Sequence, residues 1–413
     1  MFARRMTSSM ILLCMGVGCE PAEEAIPATG LLADQDPVEI GAADAVPLLS
    51  WEVGTSPLVR IGGSDERESH LLVQVGDGVL AWGGSIIVTD TRIGVVRVYD
   101  ASGRFVENLG TAGDGPGEFR SPGNLYVAPA DSILVWDEAL WRTSLFSPTG
   151  DFVRSERYDA ADPDLFPIQG MWPSEIRLGP GGARLVRLTG KANAKGADGD
   201  SEPPKEGVMG FALHFPGAAD LDLIESLPEP AAVRVEAPWG RQEMIPPLPG
   251  EPQAEMDPQG LRVCLGYSGV PEVLCQDGSS SPVSARWVSD RRPVRAEDPD
   301  VAGWRQETLA TFSQKLSRGE VEDLLSQVPL PERAPAFRSL HLDGLGLLWV
   351  ELGPVEEDWG LREYLILDRG LQAVGRLQLP SLRILEIGED HLLGVRKDPV
   401  GREEVVLYSL LRR

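Results

Sequence analysis

The chain has 413 residues, with 38 basic and 63 acidic side chains and a formal net charge of −25. That balance argues against nucleic acid as a partner, because phosphate binding needs clustered cations, and it favours a soluble surface. With 42% hydrophobic residues, most of the chain has the material for a core.

In chain order, Met1 to Gly18 reads as a signal peptide. Arg4 and Arg5 form its charged start, and Met10-Ile11-Leu12-Leu13-Cys14-Met15 sits in an apolar stretch too short to span a bilayer. Gly16-Val17-Gly18-Cys19 resembles the lipobox of bacterial lipoproteins, although Gly16 stands where Leu is usual. The resemblance implies an exported protein with lipid on Cys19, placed at the cell envelope; plain secretion is the alternative. Residues 19–54 are rich in Ala, Pro, Asp and Glu without periodicity, and are predicted to be a flexible acidic tether outside the fold.

A folded body is predicted over 55–413. Its first part carries a repeated phrase: Ile86-Ile87-Val88-Thr89-Asp90 followed by Val95 to Val106, then Ile133-Leu134-Val135-Trp136-Asp137 followed by Thr143 to Val153. A period of about 40–50 residues made of short strands is the mark of a propeller. Between the copies lies Gly110-Thr111-Ala112-Gly113-Asp114-Gly115-Pro116-Gly117-Glu118-Phe119, with glycines for a tight connection and Phe119 as a plug between units. Blade 1 is read as 70–75, 85–89, 95–99 and 105–109, and blade 2 as 124–128, 132–136, 143–146 and 152–156. The repeat fades over 159–239, where 184–188, 210–215 and 221–227 still read as strands and 191–207 as an exposed loop. Blade 4 gathers around 261–267 and 272–276.

Val301, Trp304, Thr308, Leu309, Phe312, Leu316, Val321, Leu324 and Leu325 change the period to three and four, predicting a helical insertion over about 298–327, broken near Gly319. Strands return at 337–342, 347–351, 363–368 and 373–377 for blade 5. Segments 382–387, 391–395 and 404–410 supply three strands of blade 6, and Pro57-Leu58-Val59-Arg60-Ile61 is predicted to complete it and close the ring.

The Gly-Pro-Gly-Glu-Phe loop, together with Gly346-Leu347-Leu348-Trp349-Val350 and His391-Leu392-Leu393-Gly394-Val395, resembles NHL-type six-bladed β-propellers, in particular exported bacterial ones. The resemblance implies an all-β propeller and no particular reaction.

Of four cysteines, Cys14 and Cys19 belong to the export region. Cys264 and Cys275 remain, and in an exported protein their spacing suggests a disulfide across the Ser268-Gly269-Val270-Pro271 turn, with two buried thiols as the alternative. A two-residue turn would set them at a hydrogen-bonded pair, about 5.5 Å apart at Cα. The histidines, His70, His214, His341 and His391, have no metal-ligand spacing, although His70 and His341 lie on predicted inner strands. Among Asn108, Asn124 and Asn193, only Asn124 is placed to face the channel. Asp90 and Asp137 are expected to cap turns and Glu118 to hold its own loop. No nucleophile elbow, P-loop or dinucleotide fingerprint occurs, so no catalytic residue is assigned. The expected function is a monomeric binding module that takes a protein, peptide or glycan without a cofactor. A hydrolase or lyase using calcium or zinc in the channel is the alternative.

Overall fold

The computed structural model describes residues 36–63, 71–158, 171–190, 208–215, 222–257, 261–278, 280–313, 315–355, 358–398 and 401–413. The signal segment, Cys19, His70, Asn193 and the 191–207 loop lie outside them.

Six antiparallel blades follow one another. Blade 1 is Val75–Leu80, Ile86–Asp90, Val95–Tyr99 and Phe105–Leu109; blade 2 is Pro122–Ala128, Ser132–Asp137, Arg142–Phe146 and Phe152–Arg157. Blade 3 is Met171–Leu178, Arg184–Gly190, Val208–His214 and Asp222–Pro228; blade 4 is Pro252–Met256, Arg262–Tyr267, Glu272–Asp277 and Val283–Val288. Blade 5 is Leu340–Leu342, Leu348–Val355, Asp358–Leu367 and Ala373–Pro380. Blade 6 takes Arg383–Ile387, His391–Lys397 and Glu403–Leu411 from the C-terminus, and Val59–Gly62 pairs antiparallel with its third strand, Val59 opposite Leu407. The ring is closed by strands from both ends of the chain.

The hydrophobic core is divided among the blade interfaces. A blade has a neighbour on each face, so alternate side chains of one strand serve two different clusters. Ile86 and Val88 pack with Val395, Val405 and Leu407 of blade 6, while Ile87 packs with Leu125, Ile133 and Val135 of blade 2. This is why the second strands read as unbroken apolar runs. Phe119 is fully buried between blades 1 and 2, as its place in the loop suggested. Gly110 has φ +69°, and a Cβ there would lie 2.0 Å from the Gly117 carbonyl oxygen, so only glycine fits that connection.

Three sequence readings need correction. First, residues 38–53 belong to the fold. Val38–Ala42 pairs in parallel with the outer strand of blade 4, Leu48 bridges to Arg376 of blade 5, and Glu52–Val53 pairs with Leu410 and Leu411 of blade 6. The segment is a belt along the outer edges of blades 4, 5 and 6, and it buries Ala43 and Val46 against Trp287 and Phe337. Second, the insertion consists of two helices, α1 (Pro299–Phe312) and α2 (Arg318–Ser326), and the break precedes Gly319. Ser317 caps α2 in a reciprocal box with Glu320, leaving Gly319 in the first helical turn. A hairpin unmarked in the sequence, Val233–Ala237 with Gly240–Met244, packs Val235 and Met244 against Val321, Leu324 and Leu325, so helices and hairpin together bury a small core.

Third, Cys264 and Cys275 stand opposite one another and form a disulfide, but with Cα atoms 4.1 Å apart, the close spacing of a non-hydrogen-bonded pair. Pro271 explains the difference. It has no N–H to close a two-residue turn on Ser268, so the strands end at Tyr267 and restart at Glu272, and the alternation of pair types shifts by one.

Candidate functional site

The inner strands of all six blades line a central channel of about 880 Å³. Its geometry begins with two matching bulges. The inner strand of blade 1 slips register between Val75 and Gly78, and that of blade 2 between Pro122 and Leu125, which places Asp77 and Asn124 at equivalent positions. Asp77 Oδ2 accepts from Asn124 Nδ2 at 3.0 Å and from the Leu125 N–H at 2.8 Å. Asn124 Oδ1 in turn accepts from the Leu178 N–H at 2.9 Å, so one chain of hydrogen bonds joins blades 1, 2 and 3.

Arg177 carries the connection onward. It donates to Glu175 at 3.1 Å and to Glu255 of blade 4 at 2.6 Å, while Arg187 reaches the other oxygen of Glu175 at 3.0 Å. On blade 5, Ser339 Oγ lies 3.0 Å from His341 Nε2 and donates to Glu351 at 2.7 Å. Arg383 of blade 6 donates to the Val75 and Gly76 carbonyls of blade 1 at 2.7 and 3.0 Å. His391 sits at the same opening beside Asp390, 3.1 Å away, and Glu386.

Burial sets the ionisation of these groups. It pushes the Asp77 carboxyl up to about 6 against the hydrogen bonds it accepts, and raises Glu255 despite the Arg177 charge. For Glu175 burial acts upward too, but Arg177 and Arg187 outweigh it and hold the carboxyl below its usual range. His341 is driven down to about 3 by burial and then by Arg177, and is neutral in the folded protein. His391 goes the other way: burial opposes its charge, and Glu386 and Asp390 overcome that.

These residues do not fit a calcium or zinc site. Among the described residues no group of three or more His, Cys, Asp or Glu is arranged to hold a metal. The side chain best suited to a hard cation, Asn124, has its carbonyl oxygen on the Leu178 amide and its amide on Asp77, so the two oxygen donors are turned toward protein. His341 faces Ser339, and His214 lies in blade 3 beside Arg184, well removed from this set.

Asn108 lies on the exposed outer strand of blade 1. Asp90 and Asp137 cap turns, and each also reaches back to the segment leading into its own blade: Asp90 accepts from Val73 N and Asp137 from Arg120 N. Glu118 accepts from the Gly115 N–H inside its loop. Asp77, Glu175, Arg177 and Glu255 were absent from the sequence reading. A signal for Asp77 existed, since the interval from Asp90 to Asp137, carried back from Asn124, lands on it.

Six four-stranded blades around a polar channel make this chain a six-bladed β-propeller. Residues 66–169 match the six-bladed β-propeller family DUF5128. Among solved structures, similarity extends to a member of the DUF4221 family from Bacteroides vulgatus (10% identity, 88% of this chain and 99% of that one, TM-score 0.48). It extends also to a gluconolactonase from Xanthomonas campestris (12%, 93% and 97%, TM-score 0.41) and to virginiamycin B lyase from Staphylococcus aureus (9%, 87% and 99%, TM-score 0.39). Likeness at this level transfers no activity. No curated protein matches the sequence significantly.

Proposed function

We propose that this protein is an exported binding protein, delivered by residues 1–18 and held at the envelope through Cys19, that takes a polar ligand, a glycan or a short peptide, in the mouth of its channel. The observation that supports this most is the lining itself. Inner strands of every blade contribute hydrogen-bonding side chains, and the innermost of these are already satisfied by one another. Such a network is preorganised to recognise a ligand through its rim.

The test is calorimetric titration of the purified protein with oligosaccharide and peptide panels, repeated on Glu138→Gln, which removes an exposed carboxylate from the channel mouth. Binding that weakens in the variant supports the reading. Stoichiometric zinc or calcium in the purified protein would replace it with the hydrolase or lyase reading.

A further inference from the structure

Beside the channel, with which it shares Tyr126 and Leu178, a second cavity of about 590 Å³ opens between blades 2 and 3. Its walls are unlike the rest of a protein with net charge −25. Arg154, Arg157, Arg184 and His214 face it against one carboxylate, Glu156, while Tyr126, Leu134, Leu145 and Leu178 give it an apolar side. Arg184 is 8% exposed and its guanidinium lies 4.5 Å from the centre of the Tyr158 ring. Nη1 donates to His214 Nδ1 at 3.0 Å and Nη2 to Glu156 Oε2 at 3.0 Å. Nε, on the same edge as Nη2, is buried and makes no hydrogen bond. Thr143 Oγ1 and Tyr158 Oη, on the same wall, also lack a hydrogen bond of normal length, although they lie close enough to each other, and Tyr158 to Glu156, to interact electrostatically.

This edge of Arg184 is built for a two-pronged acceptor and holds a one-pronged one. A carboxylate on Nε and Nη2 would make two parallel charge-assisted bonds, whereas Glu156 reaches only Nη2 from a side chain that is 66% exposed. With Glu156 largely in solvent and held by a single bond, it is the easily displaced member of the pair, while Arg184 is buried and fixed. We propose that the cavity between blades 2 and 3 binds a small organic carboxylate with an apolar body, the carboxylate displacing Glu156 from Arg184 and the body lying against Tyr126, Leu134, Leu145 and Leu178. The proposal does not rest on the channel's having a ligand, although Tyr126 and Leu178 line both spaces.

The test uses the purified full chain and titration calorimetry with 2-naphthoate and decanoate as probes, the corresponding alcohols as neutral controls, and inorganic phosphate as a bare anion. One equivalent of a carboxylate probe should bind, at least about tenfold tighter than its alcohol. Glu156→Gln, which removes the competing carboxylate from an exposed position, should tighten binding about two- to fivefold. Arg184→Met should weaken it about tenfold or more. If Arg184→Met does not fold, Glu156→Gln and the alcohols decide the matter. Failure of both carboxylates to bind at millimolar concentration, equal binding of phosphate, or a Glu156→Gln affinity no better than wild type would overturn the proposal.

Discussion

The belt formed by residues 38–53 makes a sharp claim, because composition alone marks this segment as dispensable. Val46 is 8% exposed and packs in the cluster that holds Trp287, Phe337, Val350 and Leu365, whereas Leu48, two residues on, is 55% exposed. Val46→Ala removes two methyl groups, about 0.8 kcal/mol each for burial, and leaves a cavity that the rigid indole of Trp287 cannot fill. The expected loss is about 2 kcal/mol. Leu48→Ala should cost less than about 0.5 kcal/mol, since its side chain stays largely in water. The backbone bonds of the belt, Leu49 N to Arg376 O at 2.8 Å and Arg376 N to Pro47 O at 2.8 Å, survive both changes, so the pair isolates side-chain burial. Urea unfolding followed by tryptophan fluorescence gives the two midpoints. Equal midpoints for the two variants, or a Val46→Ala midpoint at the wild-type value, would refute the belt and return residues 38–53 to the status of a tether.

Other expectations are as direct. Reducing the Cys264–Cys275 bond should destabilise the fold by roughly 2–3 kcal/mol on the loop-entropy model, and thiol titration of unreduced protein that found both thiols free would remove the bond from the account. Arg177→Met leaves Glu255 without its cation; the loss should be about 2 kcal/mol, below the fully buried value because the side chain is 35% exposed to the channel, and an unchanged urea midpoint would contradict the Arg177–Glu255 pair. Asp77 and His341 should oppose each other across mild acid. Asp77 titrates about 6 when folded and near 3.8 when unfolded, so its stabilisation is full below 3.8 and fades as pH rises to 6. His341 is about 3 when folded and near 6.5 when unfolded, so its stabilisation is full above 6.5 and fades as pH falls toward 3. Between pH 4 and 6, Asp77→Asn should therefore steepen the rise of stability with pH and His341→Gln should flatten it. Urea midpoints that move together in the two variants would show that these groups do not titrate as their surroundings imply.

Much of the fold was legible because blade interfaces write strong local patterns. The runs at 86–90 and 133–137 are apolar on both faces since both faces are covered, and the missing fourth strand of blade 6 pointed to 57–61. The elements that escaped notice have weak patterns for physical reasons. The inner strand of blade 3, Met171–Leu178, contains Pro173 beside a register slip, so polar and apolar residues alternate only from Glu175 to Leu178, a run too short to mark a strand. Hairpin 233–244 buries only Val235 and Met244, and makes sense only once α2 is beside it. Val38–Ala42 is a short strand interrupted by Gly41 at φ +78°, stabilised by an edge far away in sequence.

The channel was harder to read than the blades, and the reason lies in the bulges. Inner strands must bring side chains from six directions to one axis, and in blades 1, 2, 3 and 6 a bulge re-aims the inner strand at the cost of the period-2 pattern that would reveal it. Asp77 and Asn124 sit in the first two bulges, where alternation fails, and a strand placed by alternation at 70–75 stops short of the functional position. The repeat itself is indifferent to that failure: aligning the two blades on Asp90 and Asp137, whose carboxylates both reach back to the segment entering their own blade, puts Asp77 on Asn124. In blades 3 to 6 no such aspartate-led phrase is preserved, so Glu175, Arg177, Glu255 and His341 are united only by the closed ring. In a propeller of this kind, structural residues recur with the period of the blades, while the residues that give the channel its chemistry differ from blade to blade and become a set only through closure.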